Sequence, residues 1–196
     1  YSKDSNYSED KTYVPDDNFE QALINLGYDD VLDDYVLTAT ISAITVLNLD
    51  RKEISDLTGI ESFESLESFN CVGNSLTSID VSNNKSLKLL WLDNNSLVTL
   101  DISKNILIEK LALCSNNLKA IDISKNLNIN FIRLGNGCGF SGWTDPDPTT
   151  NNVTCVKVSQ YQLDNNVSSL APNLSFALDC ETTGGNSIYL DTNGVT

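Results

Sequence analysis

A 21-residue period runs through the middle of the chain and constrains its fold more than any other feature. Residues 64–84, 85–105 and 106–126 align without a gap, so each apolar or asparagine position recurs in every copy. A fixed period of this length indicates a solenoid, in which successive copies stack as coils. The recurring columns are Leu66/Leu87/Ile108, Phe69/Leu90/Leu111, Cys71/Leu92/Leu113, Asn74/Asn95/Asn116, Leu76/Leu97/Leu118, Ile79/Leu100/Ile121, Val81/Ile102/Ile123 and Asn84/Asn105/Asn126.

The repeats occupy the centre of the chain, with sequence of a different character on both sides. A longer copy with a 22-residue step comes first, from Ser42, and a partial copy ends the series at Gly137. The end coils of a solenoid would expose apolar surface and therefore need caps. The predicted division is a disordered polar tether at 1–12, a helical N-terminal cap at 13–41, repeats at 42–137, a loop with a C-terminal cap at 138–181, and 182–196, which is either a linker or the start of a further segment.

The N-terminal cap is predicted to be built on a helix. Asp16 or Asp17 can cap its start, and Glu20 follows Asp17 at approximately the spacing of a capping box. After the helix, residues 28–40 are acidic and predict a short, turn-rich link. The apolar face of the helix is formed by Phe19, Ala22, Leu23 and Leu26, and Gly27 ends it.

Each copy combines a short strand with two polar ladders. The spacing Leu87-x-x-Leu90-x-Leu92 buries alternate strand residues. The asparagine that follows (Asn74, Asn95, Asn116) is expected to hydrogen-bond backbone groups of neighbouring coils. On the opposite side, Asp80, Asp101 and Asp122 either accept turn amides, aided by the serines two residues later, or bind calcium. The predicted fold class is an α+β solenoid with short parallel strands.

The composition argues against catalysis and against nucleic acid as a partner. The 196-residue chain has no histidine, which removes Ser-His-Asp and Cys-His catalysis and the commonest zinc ligand. It has no P-loop, dinucleotide-binding or Cys-x-x-Cys motif. Its net charge of −15 disfavours a phosphate backbone. No apolar run reaches the roughly 18 residues of a membrane helix. We expect a protein that is not an enzyme and carries no cofactor.

The repeat pattern resembles that of a known family. LxxLxLxxNxL over residues 42–137 resembles leucine-rich repeats, and the form with LxxLDhSxN is similar to the short repeats of bacterial surface proteins. VPDDNFEQALINLGYDD followed by ISDLTGIESFESLESFNC resembles the entry cap and first repeat of such proteins from Bacteroidota-type bacteria. SKDSNYSED resembles the acidic segment behind the lipidated cysteine of exported lipoproteins. The resemblance implies a curved solenoid on the cell exterior, peripherally attached to the outer membrane by an N-terminal lipid.

The function that this resemblance implies is binding. We expect a non-catalytic cell-surface module, a monomer, that recognises an extracellular protein partner through the concave face of the repeats. Solenoids offer broad concave surfaces for this purpose. A polysaccharide-binding module and a structural spacer that presents a downstream domain are the alternatives.

Strand residues between the buried columns point outward on the sheet-bearing face. An outward tryptophan is unusual, because large exposed apolar groups usually serve contact; alternatively, the chain's own loop around Trp143 covers Trp91. In a sugar site, Trp91 would stack while Asn70 and Asp93 formed hydrogen bonds. The outward columns are Val46/Ser68/Leu89/Lys110/Phe131, Asn48/Asn70/Trp91/Ala112/Arg133 and Asp50/Val72/Asp93/Cys114/Gly135. The predicted ligand-binding residues are Asn70, Leu89, Trp91, Asp93, Lys110, Phe131 and Arg133, with the composition of a binding hot spot.

The cysteines divide between the repeats and the C-terminal cap. Cys71 occupies a buried column and is expected to be reduced, whereas Cys114 lies in an outward column and can be free. The strand columns match again over residues 153–158, which predicts one last strand with Cys155 pointing outward. An exported protein would gain from a disulfide here. We favour Cys155–Cys180, which also resembles the way the family's terminal caps end, and Cys138–Cys155 is the alternative.

Overall fold

The structure, a computed structural model, describes residues 10–134, 153, 155–165, 176–178 and 180. Their elements follow in the order β1 (Lys11–Tyr13), α1 (Asp17–Asn25), β2 (Tyr35–Leu37), α2 (Thr38–Ile41), β3 (Val46–Asn48), a 3₁₀ turn (Ile60–Ser62), β4 (Ser68–Asn70), β5 (Leu89–Trp91), β6 (Lys110–Ala112), β7 (Ala120–Asp122), β8 (Phe131–Arg133), β9 (Cys155–Lys157), α3 (Gln160–Asp164) and β10 (Phe176–Ala177). No helix within these residues is long and apolar enough to cross a membrane.

The predicted parallel solenoid is confirmed. One three-residue strand from each coil joins a five-stranded parallel sheet in the order β3-β4-β5-β6-β8. Its register pairs Leu47 with Phe69, Phe69 with Leu90, and Leu90 with Leu111, as the repeat spacing predicts. These central strand residues are buried, and they belong to one apolar core that runs from Val14 to Val158.

The first asparagine ladder bonds each coil to the one before it, as predicted. Asn95 Nδ2 donates to the carbonyl oxygens of Cys71, in the preceding coil, at 2.9 Å and of Leu92 at 3.1 Å. Asn95 Oδ1 accepts from the backbone N–H of Leu76 at 3.0 Å. Asn116 repeats this arrangement one coil later. The ladder therefore satisfies backbone groups that the turns would otherwise leave unpaired.

The second asparagine column forms another buried ladder, for which the sequence had suggested no role. Asn105 Nδ2 donates to the carbonyl oxygens of Val81 at 2.8 Å and Asn84 at 3.0 Å. Asn126 repeats this pattern one coil later, with carbonyl acceptors at residues 102 and 105. At the C-terminal end, Gln162 of α3 takes the next position: its Nε2 donates to the carbonyl oxygens at residues 123 and 126, at 3.0 and 3.3 Å. Helix α3 thus closes the ladder in place of another repeat.

Helix α1 is joined to the first coil through its N-cap. Asp16 is the capping residue: its Oδ1 accepts from the backbone N–H groups of Asn18 and Phe19, both at 3.0 Å. Its Oδ2 accepts from the backbone N–H groups of Ser55 at 2.9 Å and Asp56 at 3.0 Å. One carboxylate therefore caps the helix and fixes it against the repeats. These bonds hold the pKa of Asp16 below its usual value, although its partial burial alone would raise it.

Two expectations for this helix are corrected. Glu20 is not part of a capping box; it is buried, and its Oε1 accepts from the backbone N–H groups of Asp33 at 2.9 Å and Tyr35 at 3.1 Å. Leu26 is not on the buried face, because the helix ends at Asn25 and the side chain of Leu26 is 44% exposed.

The segment expected to be a turn-rich link contains β2 and α2. Strand β2 pairs antiparallel with β1, so the predicted tether at 1–12 overlaps a strand at Lys11 and Thr12. In this pair Thr12 lies opposite Val36, and both residues are buried. With only three residues in each strand, neither is long enough to show a recognisable alternation in the sequence.

The predicted last strand exists as β9, but it belongs to a different sheet. Instead of extending the five-stranded sheet, β9 pairs with β7 in a three-stranded parallel sheet of order β10-β9-β7. Val156 lies opposite Ile121 and both are buried. Lys157 Nζ lies 3.1 Å from Asp122 Oδ2, so the pairing also brings opposite charges together. Burial and charge pairing thus both favour β7.

Candidate binding face of the five-stranded sheet

Two of the predicted outward columns lie side by side across the five-stranded sheet. In the first, Leu89 stands between Ser68 and Lys110; in the second, Trp91 stands between Asn70 and Ala112. Alternate residues of a strand point to opposite faces, so these columns flank the buried central column. We call this surface the outer sheet face: the first and last residues of β3, β4, β5, β6 and β8.

An aromatic pair spans the middle of the outer sheet face. The ring centroids of Trp91 and Phe131 lie 5.9 Å apart at an interplanar angle of 53°, a favourable tilted arrangement. The two residues are on β5 and β8, so the rings meet across β6. Ala112 of β6, the register partner of Trp91, is fully buried, which corrects its assignment as an exposed outward residue. The Trp143 loop, the alternative cover for Trp91, lies outside the described residues.

Other predicted residues surround this pair with unequal exposure. Leu89 is half-buried, Lys110 is exposed and Phe131 is 37% exposed. Arg133 is half-buried at the end of β8. The face therefore combines an apolar centre with cationic groups beside it.

Asp93 does not reach the outer sheet face. Its side chain is only 3% exposed, and its Oδ1 accepts from the backbone N–H of Cys114 at 2.7 Å. Its Oδ2 has no hydrogen-bond partner among the described residues. Burial raises the pKa of Asp93, while the bond from Cys114 and the charge of Arg133 lower it in part. Asp93 therefore acts within the coil stack, and the sugar site proposed from Trp91, Asn70 and Asp93 loses its carboxylate.

A groove beside Trp91, not singled out from the sequence, crosses the N-terminal half of the face. Its volume is about 590 Å³, and only Asn70 and Trp91 of the predicted site line it. Arg51 has no repeat-column signal that could have identified it. The remaining lining residues are Val46, Leu47, Asn48, Asp50, Arg51, Ser68 and Val72.

The aspartate ladder on the opposite side has the predicted turn role. The Oδ1 atoms of Asp80, Asp101 and Asp122 accept from the backbone N–H groups two residues later, at 2.9, 2.8 and 2.9 Å. The bonds from Ser82 and Ser103 lower the pKa values of Asp80 and Asp101. Across the part of the chain that the structure describes, no group of three or more Cys, Asp or Glu side chains is placed to hold a metal ion.

The cysteine predictions have mixed outcomes. The Cys155–Cys180 disulfide is confirmed, which excludes the Cys138–Cys155 alternative. Cys71 is a buried free thiol, as predicted, and burial raises its pKa to about 12. Cys114 is not free: it belongs to a disulfide and is buried. Its column was predicted to point outward, but the strand has already ended at Ala112.

Solved structures of bacterial leucine-rich repeat proteins are similar to this chain. An internalin (inlF) from Listeria monocytogenes aligns with a TM-score of 0.60 and 23% identity, over 85% of this chain and 50% of its own. The functional domain of InlJ from the same species aligns with a TM-score of 0.49 and 24% identity, over 76% and 38% of the two chains. A Leptospira interrogans leucine-rich repeat protein aligns with a TM-score of 0.49 and 18% identity, over 70% of this chain and 38% of its own.

The inlF alignment establishes a leucine-rich repeat solenoid. The chain spans about half the length of that internalin and less of the other two structures. No protein-family profile matches the sequence, and no curated protein matches it significantly.

Proposed function

We propose that this chain is a non-catalytic binding module that recognises an extracellular protein through the outer sheet face, as the concave side of the solenoid. The Trp91–Phe131 pair carries the proposal. Its rings meet 5.9 Å apart on a face whose other outward residues are smaller, aliphatic or polar. Large aromatic side chains are enriched at the centres of protein interfaces, where they bury much area at low entropic cost.

The surroundings of the pair support a protein ligand. Leu89 extends the apolar centre along β5, and the exposed Lys110 supplies a polar edge. Protein interfaces typically combine an apolar centre with a hydrated polar rim. The carbohydrate alternative rests on Trp91 and Asn70 alone, because Asp93 is buried.

Two observations support an extracellular or cell-surface location. The Cys155–Cys180 disulfide would persist in an oxidising compartment. The sequence at 2–10 resembles the segment behind the lipid anchor of exported lipoproteins, which would place the module, as a monomer, at the outer membrane. A spacer role would leave the aromatic pair without a function.

Replacing the aromatic pair tests the proposal. Surface proteins of the producing organism and of its neighbours would be crosslinked to the wild-type chain, to Trp91→Ala and to Phe131→Ala. The affinity of each recovered partner for the three proteins would then be measured. We expect each substitution to weaken binding by roughly 30-fold, since truncating a hot-spot residue costs about 2 kcal/mol. Val98→Ala is the matched control, because Val98 is 57% exposed but lies away from the outer sheet face.

Undiminished binding by both aromatic variants would refute the proposal. If instead an oligosaccharide on a glycan array were lost with Trp91→Ala while no protein partner responded, the carbohydrate alternative would replace it.

A further inference from the structure

The groove beside Trp91 has a chemistry of its own. We infer that it binds an extended, uncharged stretch of the partner's polypeptide, whose backbone carbonyls accept hydrogen bonds from Asn48 and Asn70. An apolar side chain of that stretch packs against Val46, Val72 and Trp91. This inference rests on the proposed function and names the part of the partner that the face receives.

Two asparagines in the groove present fixed hydrogen-bond donors. Asn48 Oδ1 accepts from the backbone N–H of Asp50, and Asn70 Oδ1 accepts from that of Val72, both at 3.1 Å. These bonds orient the amide groups, whose Nδ2 atoms donate no hydrogen bond to any described residue. The residues are register partners, so the donors stand at about the 4.8 Å spacing of neighbouring strands. Donors this close can both bind carbonyls of a single ligand segment.

The groove wall beside the amides is aliphatic and aromatic. Val46 is 60% exposed, although it lies in a regular strand next to a buried residue. Val72 and Trp91 continue the apolar lining, and the volume of about 590 Å³ accommodates a few residues of a peptide. A sugar would bring hydroxyl groups against these apolar groups, and each polar group left unsatisfied costs about 1–3 kcal/mol. A peptide has both backbone carbonyls and apolar side chains, so it matches the amide donors as well as the apolar wall of the groove.

The charges at the groove nearly cancel, which selects an uncharged segment. Asp50 Oδ1 lies 3.7 Å from Arg51 Nε, and the other lining residues are neutral. This local balance contrasts with the net charge of −15 for the whole chain. A charged segment would therefore find no uncompensated opposite charge in the groove. An uncharged segment needs no such partner.

Peptide selection against matched variants tests the inference. Phage-displayed random dodecapeptides would be selected on the wild-type chain and counter-selected on Asn48→Ser/Asn70→Ser. Serine keeps an oxygen that can accept the turn N–H but removes the amide donor. We expect a consensus with one large apolar residue in an uncharged stretch. In the synthetic peptide, each serine substitution would weaken binding about 3- to 10-fold, as for one lost hydrogen bond.

Controls separate the donors from stability and charge. Asn117→Ser changes an exposed asparagine outside the groove and should leave peptide affinity unchanged. Asn70→Asp also keeps the turn acceptor and removes the donor, and its negative charge repels a carbonyl oxygen, so it should weaken binding at least as much as the serine does. Replacing the contacted peptide amides by esters, whose carbonyls accept more weakly, should produce a similar loss.

The outcomes distinguish this inference from the broader proposal. No enrichment on wild type, equal peptide affinity for the double serine variant, or a glycan that these variants release would each overturn the peptide groove. Val98→Ala alters neither the groove lining nor the outer sheet face, so selected peptides should retain their affinity for it. A protein partner that depends on Phe131 but not on either asparagine would support the proposed function and reject the groove.

Discussion

The side chain of Asn95 forms hydrogen bonds with four backbone groups of the adjoining turns. Asn95→Ala leaves the Cys71 carbonyl and the Leu76 N–H without these partners near the core, whereas the Leu92 carbonyl still accepts from Asn116 Nδ2. We expect a loss of roughly 2–4 kcal/mol of unfolding free energy, because unpaired buried groups cost about 1–3 kcal/mol each. Denaturant titration measures it, with exposed Asn117→Ala as a control expected within about 0.5 kcal/mol of wild type. Equal midpoints for both variants would contradict the ladder's role.

The carboxylate of Asp16 predicts a specific pH dependence. Its pKa is lowered in the fold, so its contribution is complete above the unfolded value near 3.8 and is lost as the pH falls through the lower folded value. Asp16→Ala should therefore cost about 1–2 kcal/mol at pH 7, as for a lost N-cap. The difference in unfolding free energy between wild type and variant should shrink below pH 4 as Asp16 is protonated. The other carboxylates titrate in both proteins and do not contribute to this difference. A difference that stays constant down to pH 2 would assign the effect to packing instead.

Alternation predicts the outer sheet face only as far as the strands extend. The register places Trp91 and Phe131 in the first two outward columns, as predicted, but Ala112 of the second column is buried. In the third column, which contains Asp93, every described residue from the second coil onward is buried, because the strands have ended and the backbone turns. The next residue in each coil has a positive φ: Arg51 at 52°, Gly73 at 69°, Asn94 at 54° and Ser115 at 52°. A period-2 rule does not hold across such a turn.

The elements differ in how far the sequence determines them. The repeat strands could be predicted because each apolar position recurs in every coil, which fixes both the strand and its register. Strands β1 and β2 form by pairing with each other, a contact between residues more than twenty positions apart. Strand β9 satisfies the apolar spacing of either sheet, and its partner depends on contacts such as that between Lys157 and Asp122. Tertiary contacts, not local pattern, decide these cases.

Helix α3 takes the place of a repeat through the side chain of Gln162. This side chain has two roles, which a pair of variants can separate. Gln162 Oε1 accepts from the backbone N–H of Ser159 at 2.8 Å, completing a capping box, while Nε2 donates to the Ile123 and Asn126 carbonyls. Gln162→Glu keeps the acceptor and removes the donor. We expect it to destabilise the C-terminal end nearly as much as Gln162→Ala, by about 1–3 kcal/mol.

Hydrogen exchange would measure this loss at β7 and β9, with Tyr161→Phe, at a 60% exposed position on the same helix, as the control. Protection in Gln162→Glu equal to wild type would show that the capping box alone matters.

Among the described residues, the strand pairing and the asparagine ladders connect each coil to its immediate neighbours, and the Trp91–Phe131 ring contact reaches one coil further. Asn105 bonds only backbone groups of its preceding coil, and every strand of the five-stranded sheet pairs only with the adjacent ones. The stability of such an array is approximately a sum of coil and interface contributions. Damage at one end should therefore weaken with distance along the solenoid.

Removing the Cys155–Cys180 disulfide tests this locality. The bond closes a loop with a sequence separation of 25, and loops of this size gain about 3 kcal/mol from a disulfide. We expect Cys155→Ser/Cys180→Ser to lower hydrogen-exchange protection strongly at β9 and β10, less at β7, and hardly at β3 to β5. The double variant is preferable to a reducing agent, which would also break the disulfide of Cys114. An equal loss of protection from β3 to β9 would show instead that the coils unfold as a single cooperative unit, because subglobal opening requires the end coils to be separable from the rest.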